Sequence, residues 1–212
     1  MSKSQEQLDA INDIRNMMER SSKFLSFSGL AGVLIGLFAL LGTSAFCFHF
    51  DFSPLEGSYA NILINDDGNP NVTVLRFLLI DGLIVFLLSA TVEILLAIKK
   101  SKEIDAPIWD STSKRVLINL FIPFITGVVF CLILILKNQI LLLAPASLIF
   151  YGLALVNVSK YTVDEIRSLG ILEIILGLVA AMWIDAGLLN WAIGFGLLHI
   201  LYGLFIYSKE RK

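Results

Sequence analysis

Long, uninterrupted apolar runs dominate the pattern of hydrophobic and polar positions along the chain. An α-helix needs roughly 20 apolar residues to cross about 30 Å of hydrocarbon, and each run is close to that length. Every backbone amide in hydrocarbon needs an internal partner, so the runs are predicted to be helices. The alternating ten-residue segments typical of a membrane barrel do not occur in the sequence. The six predicted spans cover about 24–48, 77–98, 116–136, 140–156, 166–184 and 188–207.

The positions of the basic residues predict how these spans thread the membrane. Cytoplasmic flanks of membrane proteins are enriched in Lys and Arg. With both termini inside, 14 of the 16 basic residues fall on inner segments, and only Arg76 and Lys137 fall outside. We therefore expect an all-α, multi-pass protein of the cell membrane, with six helices in three antiparallel hairpins and both termini cytoplasmic. The predicted domains are a cytoplasmic segment 1–23, a transmembrane domain 24–208 with an outer loop 49–74, and a cytoplasmic tail 209–212.

Composition agrees with this class and argues against others. The 212 residues are 57% hydrophobic and 16% charged, with a mean hydropathy of +0.81. A soluble domain is about 45–50% apolar and about 25% charged. A net charge of −2 gives no general attraction to nucleic acid. Cys47 and Cys131 both lie in predicted spans, which is neither a disulfide framework nor a zinc spacing.

The segment ahead of the first span has an amphipathic pattern. Within residues 5–20, Leu8, Ile11 and Met18 share one helical face and charged residues take the rest. A helix of this kind lies on the inner surface of the bilayer in one interpretation. In the other, it docks a cytoplasmic protein partner.

The outer loop carries a turn signal. Apolar residues alternate on both sides of "NDDGNP", at 65–70, and this pattern favours a small β-hairpin. The outer turns between spans three and four and between spans five and six are only a few residues long. Those two pairs of helices are therefore expected to be tight antiparallel neighbours.

Two pairs of spans share a pattern of small residues. The stretch "GLAGVLIGLFAL", 29–40, aligns without gaps on "GILEIILGLVAA", 170–181, and "LIFYGLAL", 148–155, aligns on "HILYGLFI", 199–206. Small residues let helix backbones approach closely in lipid. The residues predicted to pack helices in this way are Gly29, Gly32, Gly36, Gly177 and Gly203.

Two resemblances follow from these stretches. Three hairpins with a first helix of the "GxxxxxxGLxA" kind resemble the bacterial acid-resistance membrane proteins of six helices. The stretches "PASLIFYGLALVNVSKYT" and "DEIRSLGILEIILGL" are similar to a group of uncharacterised bacterial six-helix membrane proteins. Both resemblances imply a six-helix fold, and neither implies catalytic residues.

Polar side chains from several spans fall at one depth. Glu93 lies six residues before Lys99 and Glu173 six residues after Arg167, so each carboxyl lies about 9 Å from the inner surface. A charged carboxylate facing lipid costs roughly 2.5–3.5 kcal/mol, so both are expected to face the bundle. Asp81 is nearer the outside. The other residues predicted for this inner layer are Asn119, Asn157, His199 and Tyr202.

Three interpretations of this layer remain open. In the first, Glu93 and Glu173 hold helices together through hydrogen bonds. In the second, they line an inward-open cavity for a proton, cation or small molecule. The third, a metal site with His199, is the weakest, because the spacing is no metal-binding signature.

The sequence favours a function without enzymatic chemistry. It contains no paired-histidine motif, nucleophile elbow or glycine-rich phosphate loop, so no cofactor or metal is expected. The leading expectation is a structural, stress-related or regulatory membrane protein that contacts a cytoplasmic partner. The alternative is a small transporter or channel subunit that uses Glu93 and Glu173. The expected partners are the lipid bilayer, a cytoplasmic protein through residues 5–20, and further copies of the chain; nucleic acid is not among them.

Overall fold

A computed structural model describes residues 28–55, 57–103, 109–163 and 165–210, and these ranges are helical almost throughout. Within them the predicted all-α class is confirmed. The predicted segment 1–23, with its amphipathic helix at 5–20, and residues 211–212 of the tail lie outside the described residues. The helices are α1 (Gly29–His49), α2 (Tyr59–Leu63), α3 (Val72–Glu103), α4 (Ser111–Leu136), α5 (Leu143–Val158), α6 (Glu165–Met182), α7 (Gly187–Trp191) and α8 (His199–Glu210).

The last span is built from three consecutive pieces. A π-helical segment, Ala192–Leu198, joins α7 to α8 without a break. Short 3₁₀ turns precede α5 and α7, at Ile140–Leu142 and Ile184–Ala186. A third such turn, Ser159–Tyr161, follows α5.

Five segments in the described ranges are long and apolar enough to cross a membrane, so the chain is a multi-pass membrane protein. They are Gly29–His49, Val72–Glu103, Ser111–Leu136, Ile140–Tyr161 and Ile184–Lys209. The fifth predicted span, 166–184, which corresponds to α6, differs because the 18 residues of α6 include Glu165, Arg167 and Glu173. Its apolar content alone therefore does not identify it as a span.

The helices differ in how much of their surface the protein itself covers. In the most apolar 18-residue windows, 6% of the residues of α3 and 11% of those of α4 are buried, against 44% for Ile140–Tyr161. In a bilayer, α3 and α4 therefore present most of their surface to lipid. The densest packing joins α5 with α6, and α1 with the last span, α8 and the π-helical segment together.

The sequence predicts that the last two spans are tight neighbours, but neither of them makes its most extensive contact with the other. α6 packs chiefly on α5, and the last span packs chiefly on α1. The neighbouring pair α4 and α5 does pack closely, as expected from its short turn. The reason for the difference is that glycines on α1 and α8 bring those two backbones together.

These glycines form matching contacts in two places. A Cβ built on Gly29 of α1 would lie 2.6 Å from the carbonyl oxygen of Gly203 in α8. A Cβ built on Gly170 of α6 would lie 2.7 Å from the carbonyl oxygen of Gly152 in α5. The reverse distances, from Gly203 and from Gly152, are 2.7 and 2.6 Å. Neither position in either pair leaves room for a side chain.

A second contact in each pair matches as well. A Cβ on Gly36 would lie 2.9 Å from the amide nitrogen of Ile200, and a Cβ on Gly177 would lie 2.9 Å from that of Ile149. The sequence alignments place Gly29 on Gly170, Gly36 on Gly177, Gly203 on Gly152 and Ile200 on Ile149. The repeat in the sequence therefore corresponds to two equivalent packed units, which we name the α1/α8 pair and the α5/α6 pair.

The predicted β-hairpin in the outer loop is wrong for most of its length. Residues 59–63 form α2, because the side chain of Ser58 accepts a hydrogen bond from the Asn61 amide and caps the helix. The turn itself is present, with Gly68 at φ +79° and one antiparallel bridge between Ile64 and Pro70. A single bridge is all that remains of the predicted pairing.

A buried carboxyl, imidazole and phenol between three helices

Three titratable side chains meet where α5, α6 and α8 come together. The Tyr151 hydroxyl lies 2.9 Å from His199 Nε2, and Glu173 Oε1 lies 3.5 Å from His199 Nδ1. Glu173 has no exposed surface, and His199 is 3% exposed. We name Glu173, His199 and Tyr151 the buried cluster.

The contacts of the imidazole assign its protons. His199 Nδ1 lies 3.0 Å from the carbonyl oxygen of Gly194, so Nδ1–H donates there. In the neutral ring Nε2 is then the acceptor, and the Tyr151 hydroxyl donates a hydrogen bond to it. Both ring nitrogens are therefore occupied without help from Glu173.

The Glu173 carboxyl has no hydrogen bond of its own. Neither of its oxygens finds a partner among the described residues. The 3.5 Å separation from Nδ1 is longer than the usual N–H···O range of about 2.7–3.2 Å. An isolated buried carboxylate is very unfavourable. The pocket can therefore hold the neutral acid, or a carboxylate opposite an imidazolium, but not a lone charge.

The backbone of the last span makes room for this carboxyl. A Cβ on Gly194 would lie 2.5 Å from Glu173 Oε2, so the absence of a side chain there is what admits the acid. Gly194 belongs to the π-helical segment Ala192–Leu198. Such segments are rare, and they are frequently found at functional sites.

Glu93 on α3 belongs to the same region. Its carboxyl and that of Glu173 both interact electrostatically with the Tyr151 hydroxyl. The side chain of Glu93 is half-buried, whereas that of Glu173 is enclosed. The two predicted acids thus share a neighbour in Tyr151.

The remaining residues predicted for the layer lie apart from the cluster. Asn157 Nδ2 donates to the backbone oxygen of Asn119 at 2.8 Å, and Asn119 Nδ2 donates to the backbone oxygen of Arg115, also at 2.8 Å. These amides link α5 to α4. Tyr202 packs instead in an apolar cluster around Leu155 and Ile166. The predicted single layer is therefore divided into three separate sites.

Tyr151 was not among the candidates identified from the sequence. Its matched residue in the repeat, Tyr202, was selected on depth alone, although both tyrosines precede a packing glycine. Depth along a helix does not say which neighbour a side chain faces. The geometry gives no support to a metal held by Glu93, Glu173 and His199, since the described part of the chain holds no group of three suitable ligands.

No family model, curated protein or solved structure matches this chain. The resemblances to acid-resistance proteins and to uncharacterised six-helix proteins therefore stay predictions.

Proposed function

We propose that this chain is a small, non-enzymatic channel or transporter subunit that carries protons across the membrane through the buried cluster. The observation that carries the proposal is Glu173, a fully enclosed carboxyl with no hydrogen bond, 3.5 Å from an imidazole. Intramembrane acids that face the interior of a bundle commonly serve as proton relays.

The proposal includes α6 as a sixth span. α6 lies along α5, which is one of the five apolar spans, and its Glu173 is turned inward. Its other charges, Glu165 and Arg167, lie in the first turn, at the end expected to be cytoplasmic. Six spans place both termini on the cytoplasmic side of a bacterial inner membrane, where the basic residues are concentrated.

The position of the cluster between repeated units also supports transport. Tyr151 and Glu173 belong to the α5/α6 pair, while His199 begins α8 of the other pair. Transporter sites commonly lie near the middle of the bilayer, at the interface of internal repeats. The matched glycine contacts define the two repeated units, and the cluster lies where one unit meets the other.

A second candidate is a structural, stress-related or regulatory membrane protein that acts through a cytoplasmic partner. The complete enclosure of Glu173 favours it, because a permanently closed pocket supports no flux. In this alternative, protonation of Glu173 alters the bundle, and residues 5–20 or a second copy of the chain respond.

Proton flux separates the two candidates. The purified chain is reconstituted into liposomes containing a pH-sensitive dye, and a potassium diffusion potential is imposed. We expect dye acidification several-fold faster than in protein-free liposomes, and a return to background with Glu173→Gln. The matched control is Glu103→Gln, because Glu103 is exposed at the end of α3, 4.0 Å from Lys99. Wild-type flux equal to that of protein-free liposomes would reject transport and favour the regulatory candidate.

A further inference from the structure

The α1/α8 pair and the α5/α6 pair are each locked internally. A Cβ on Gly29 would lie 2.2 Å from the Tyr207 amide nitrogen, and one on Gly152 would lie 2.9 Å from the Ile174 amide nitrogen. Backbones in such contact cannot slide or tilt without collision, because each glycine lies directly against backbone atoms of the facing helix. Each pair therefore behaves as one rigid body.

The contact between the two pairs is of a different kind. α6 meets α8 over a shorter length than either meets its own partner. The middle of this contact is polar, with Glu173 facing His199 and Gly194. At its inner end, Lys209 of α8 forms an ion pair with Glu165 of α6. We name this contact the seam.

The seam is also the least satisfied part of the interior. The two Glu173 oxygens are two of the three buried side-chain polar atoms without a hydrogen bond in the described ranges. The seam also contains the π-helical turn, whose geometry differs from the α-helix on both sides. Packed interfaces tend to adopt a few discrete arrangements. We expect a second arrangement where an interface contains a polar group without a hydrogen bond.

We propose that the α1/α8 and α5/α6 pairs rock against each other as two rigid bodies about the seam, and that the proton on Glu173 selects the closed arrangement. The neutral acid fits the enclosed pocket. A carboxylate opposite the neutral imidazole lacks hydrogen bonds there, so it requires water, which only an opened seam admits. This inference rests on the proposed function and supplies its moving parts, since rocking of repeats about a fixed site is how many transporters alternate access.

The charged and titratable groups that face Glu173 come from each element packed around it. They are His199 on α8 and Tyr151 on α5, with the Lys209–Glu165 ion pair at the inner end; Glu93 on α3 acts on the Tyr151 hydroxyl. A response to pH must therefore be traced to Glu173 by substitution rather than assumed. Glu173→Gln keeps the shape of the side chain and cannot ionise.

Distances between spin labels test the movement directly. Cys47 and Cys131 are first replaced by Ala in the full chain, and nitroxides are then attached to pairs of introduced cysteines in nanodiscs. Leu37→Cys on α1 with Leu153→Cys on α5 spans the seam, and both positions are exposed. Leu37→Cys with Leu204→Cys lies within the α1/α8 pair, and Leu153→Cys with Ile175→Cys lies within the α5/α6 pair; these positions are exposed too.

We expect the distance across the seam to change by several ångströms between acidic and alkaline buffer, while both distances within the pairs stay fixed. Glu173→Gln should hold the acidic distribution in both buffers, and Glu103→Gln, at an exposed residue outside the seam, should leave the shift in place. Equal changes within the pairs, or an unchanged seam in folded protein, would overturn the inference. Proton flux with an unmoved seam would reject this movement and leave the proposed function standing; a moving seam without flux would reject transport alone.

Discussion

The α1/α8 pair and the α5/α6 pair share a backbone arrangement and differ in chemistry. Their glycine contacts agree within about 0.1 Å at Gly29 with Gly203 and at Gly170 with Gly152. Three residues after the first glycine of each alignment stand Gly32 in one pair and Glu173 in the other. Gly32 meets the backbone of α8, since its Cβ would lie 3.0 Å from Gly203 Cα, whereas the Glu173 carboxyl lies against Gly194 of the last span.

The difference shows that packing and chemistry are carried by separate positions. The glycines fix how closely two helices approach, and they do so twice. One residue in one copy adds an ionisable group, and a gap at Gly194 on a third helix accommodates it. A change at a glycine should therefore affect folding, while a change at Glu173 should affect proton handling with the fold preserved.

The largest expected effect is at the shared glycines. Gly29→Leu introduces a side chain 2.2 Å from a backbone nitrogen that cannot move aside. We expect a loss of about 3 kcal/mol or more of stability, or failure to fold. Gly170→Leu should behave alike, because its contacts match.

The measurement is the thermal midpoint in detergent, together with the monodisperse fraction after solubilisation. Gly82→Leu on α3 is the control, since nothing lies within 4 Å of a Cβ there. A Gly29→Leu protein as stable as the Gly82→Leu protein would show that the pairs are not locked by their glycines.

The next effect has the opposite sign. Glu173→Met removes a buried group without a hydrogen bond and keeps most of its volume, so the free energy of unfolding should rise by roughly 1–3 kcal/mol. Gly32→Glu puts the same acid at the matched position of the other pair. It should lower the free energy of unfolding, since a Cβ there would lie 3.3 Å from the backbone carbonyl oxygen of His199.

Chemical denaturation of both variants and the wild type measures whether each substitution raises or lowers the free energy of unfolding. Should Glu173→Met destabilise the protein by several kcal/mol, Glu173 would be a structural hydrogen-bonding group. That result would support the interpretation in which Glu93 and Glu173 hold helices together.

An intermediate effect is expected at Gly194. Gly194→Ala places a methyl group 2.5 Å from Glu173 Oε2, and the flexible carboxyl must turn away. We expect a loss of about 1–2 kcal/mol, most of it recovered in the double variant with Glu173→Ala. Gly196→Ala, which meets Leu40 instead, should show no such coupling. A double-mutant cycle on the thermal or chemical unfolding free energies provides the test. If the losses at positions 194 and 173 are additive, Gly194 is not energetically coupled to Glu173.

The smallest effect compares the two matched tyrosines. Tyr151→Phe removes the hydrogen bond to His199 Nε2 and should lower stability by about 1 kcal/mol. Tyr202→Phe should change it by much less, because the Tyr202 ring lies in an apolar cluster. Unfolding midpoints of the two variants make the comparison, and equal losses would mean that the hydrogen bond at His199 contributes nothing distinctive.

The sequence predicted the parts of the fold that depend on local composition. Five spans follow from apolar run length, which any 20-residue window reports. The status of α6 could not be decided in this way, because Glu165, Arg167 and Glu173 reduce its apolar character. The contact between α1 and α8 joins opposite ends of the chain; the sequence predicted that their glycines pack helices, but not that these two helices pack on each other.

The sequence predicted how deep in the membrane the side chains of the site lie, but not which neighbouring helix each one faces. Glu93, Glu173 and His199 were identified because intramembrane polar residues are few. Tyr151 was missed in favour of Tyr202, and Asn119 and Asn157 were grouped with the acids, because depth fixes the level of a side chain and not the helix it faces. The π-helical turn at 192–198 contacts both α1 and α6, and the sequence carries no signal for it.

Infrared difference spectroscopy of the chain in membranes is the most direct test that Glu173 takes up and releases a proton inside the bundle. Spectra are recorded in acidic and alkaline buffer, and the carbonyl band of protonated carboxylic acids is followed. The account predicts that the wild type loses a band that Glu173→Gln lacks, while contributions from Asp81 and Glu93 are common to both proteins. Identical difference spectra for the two proteins would contradict it.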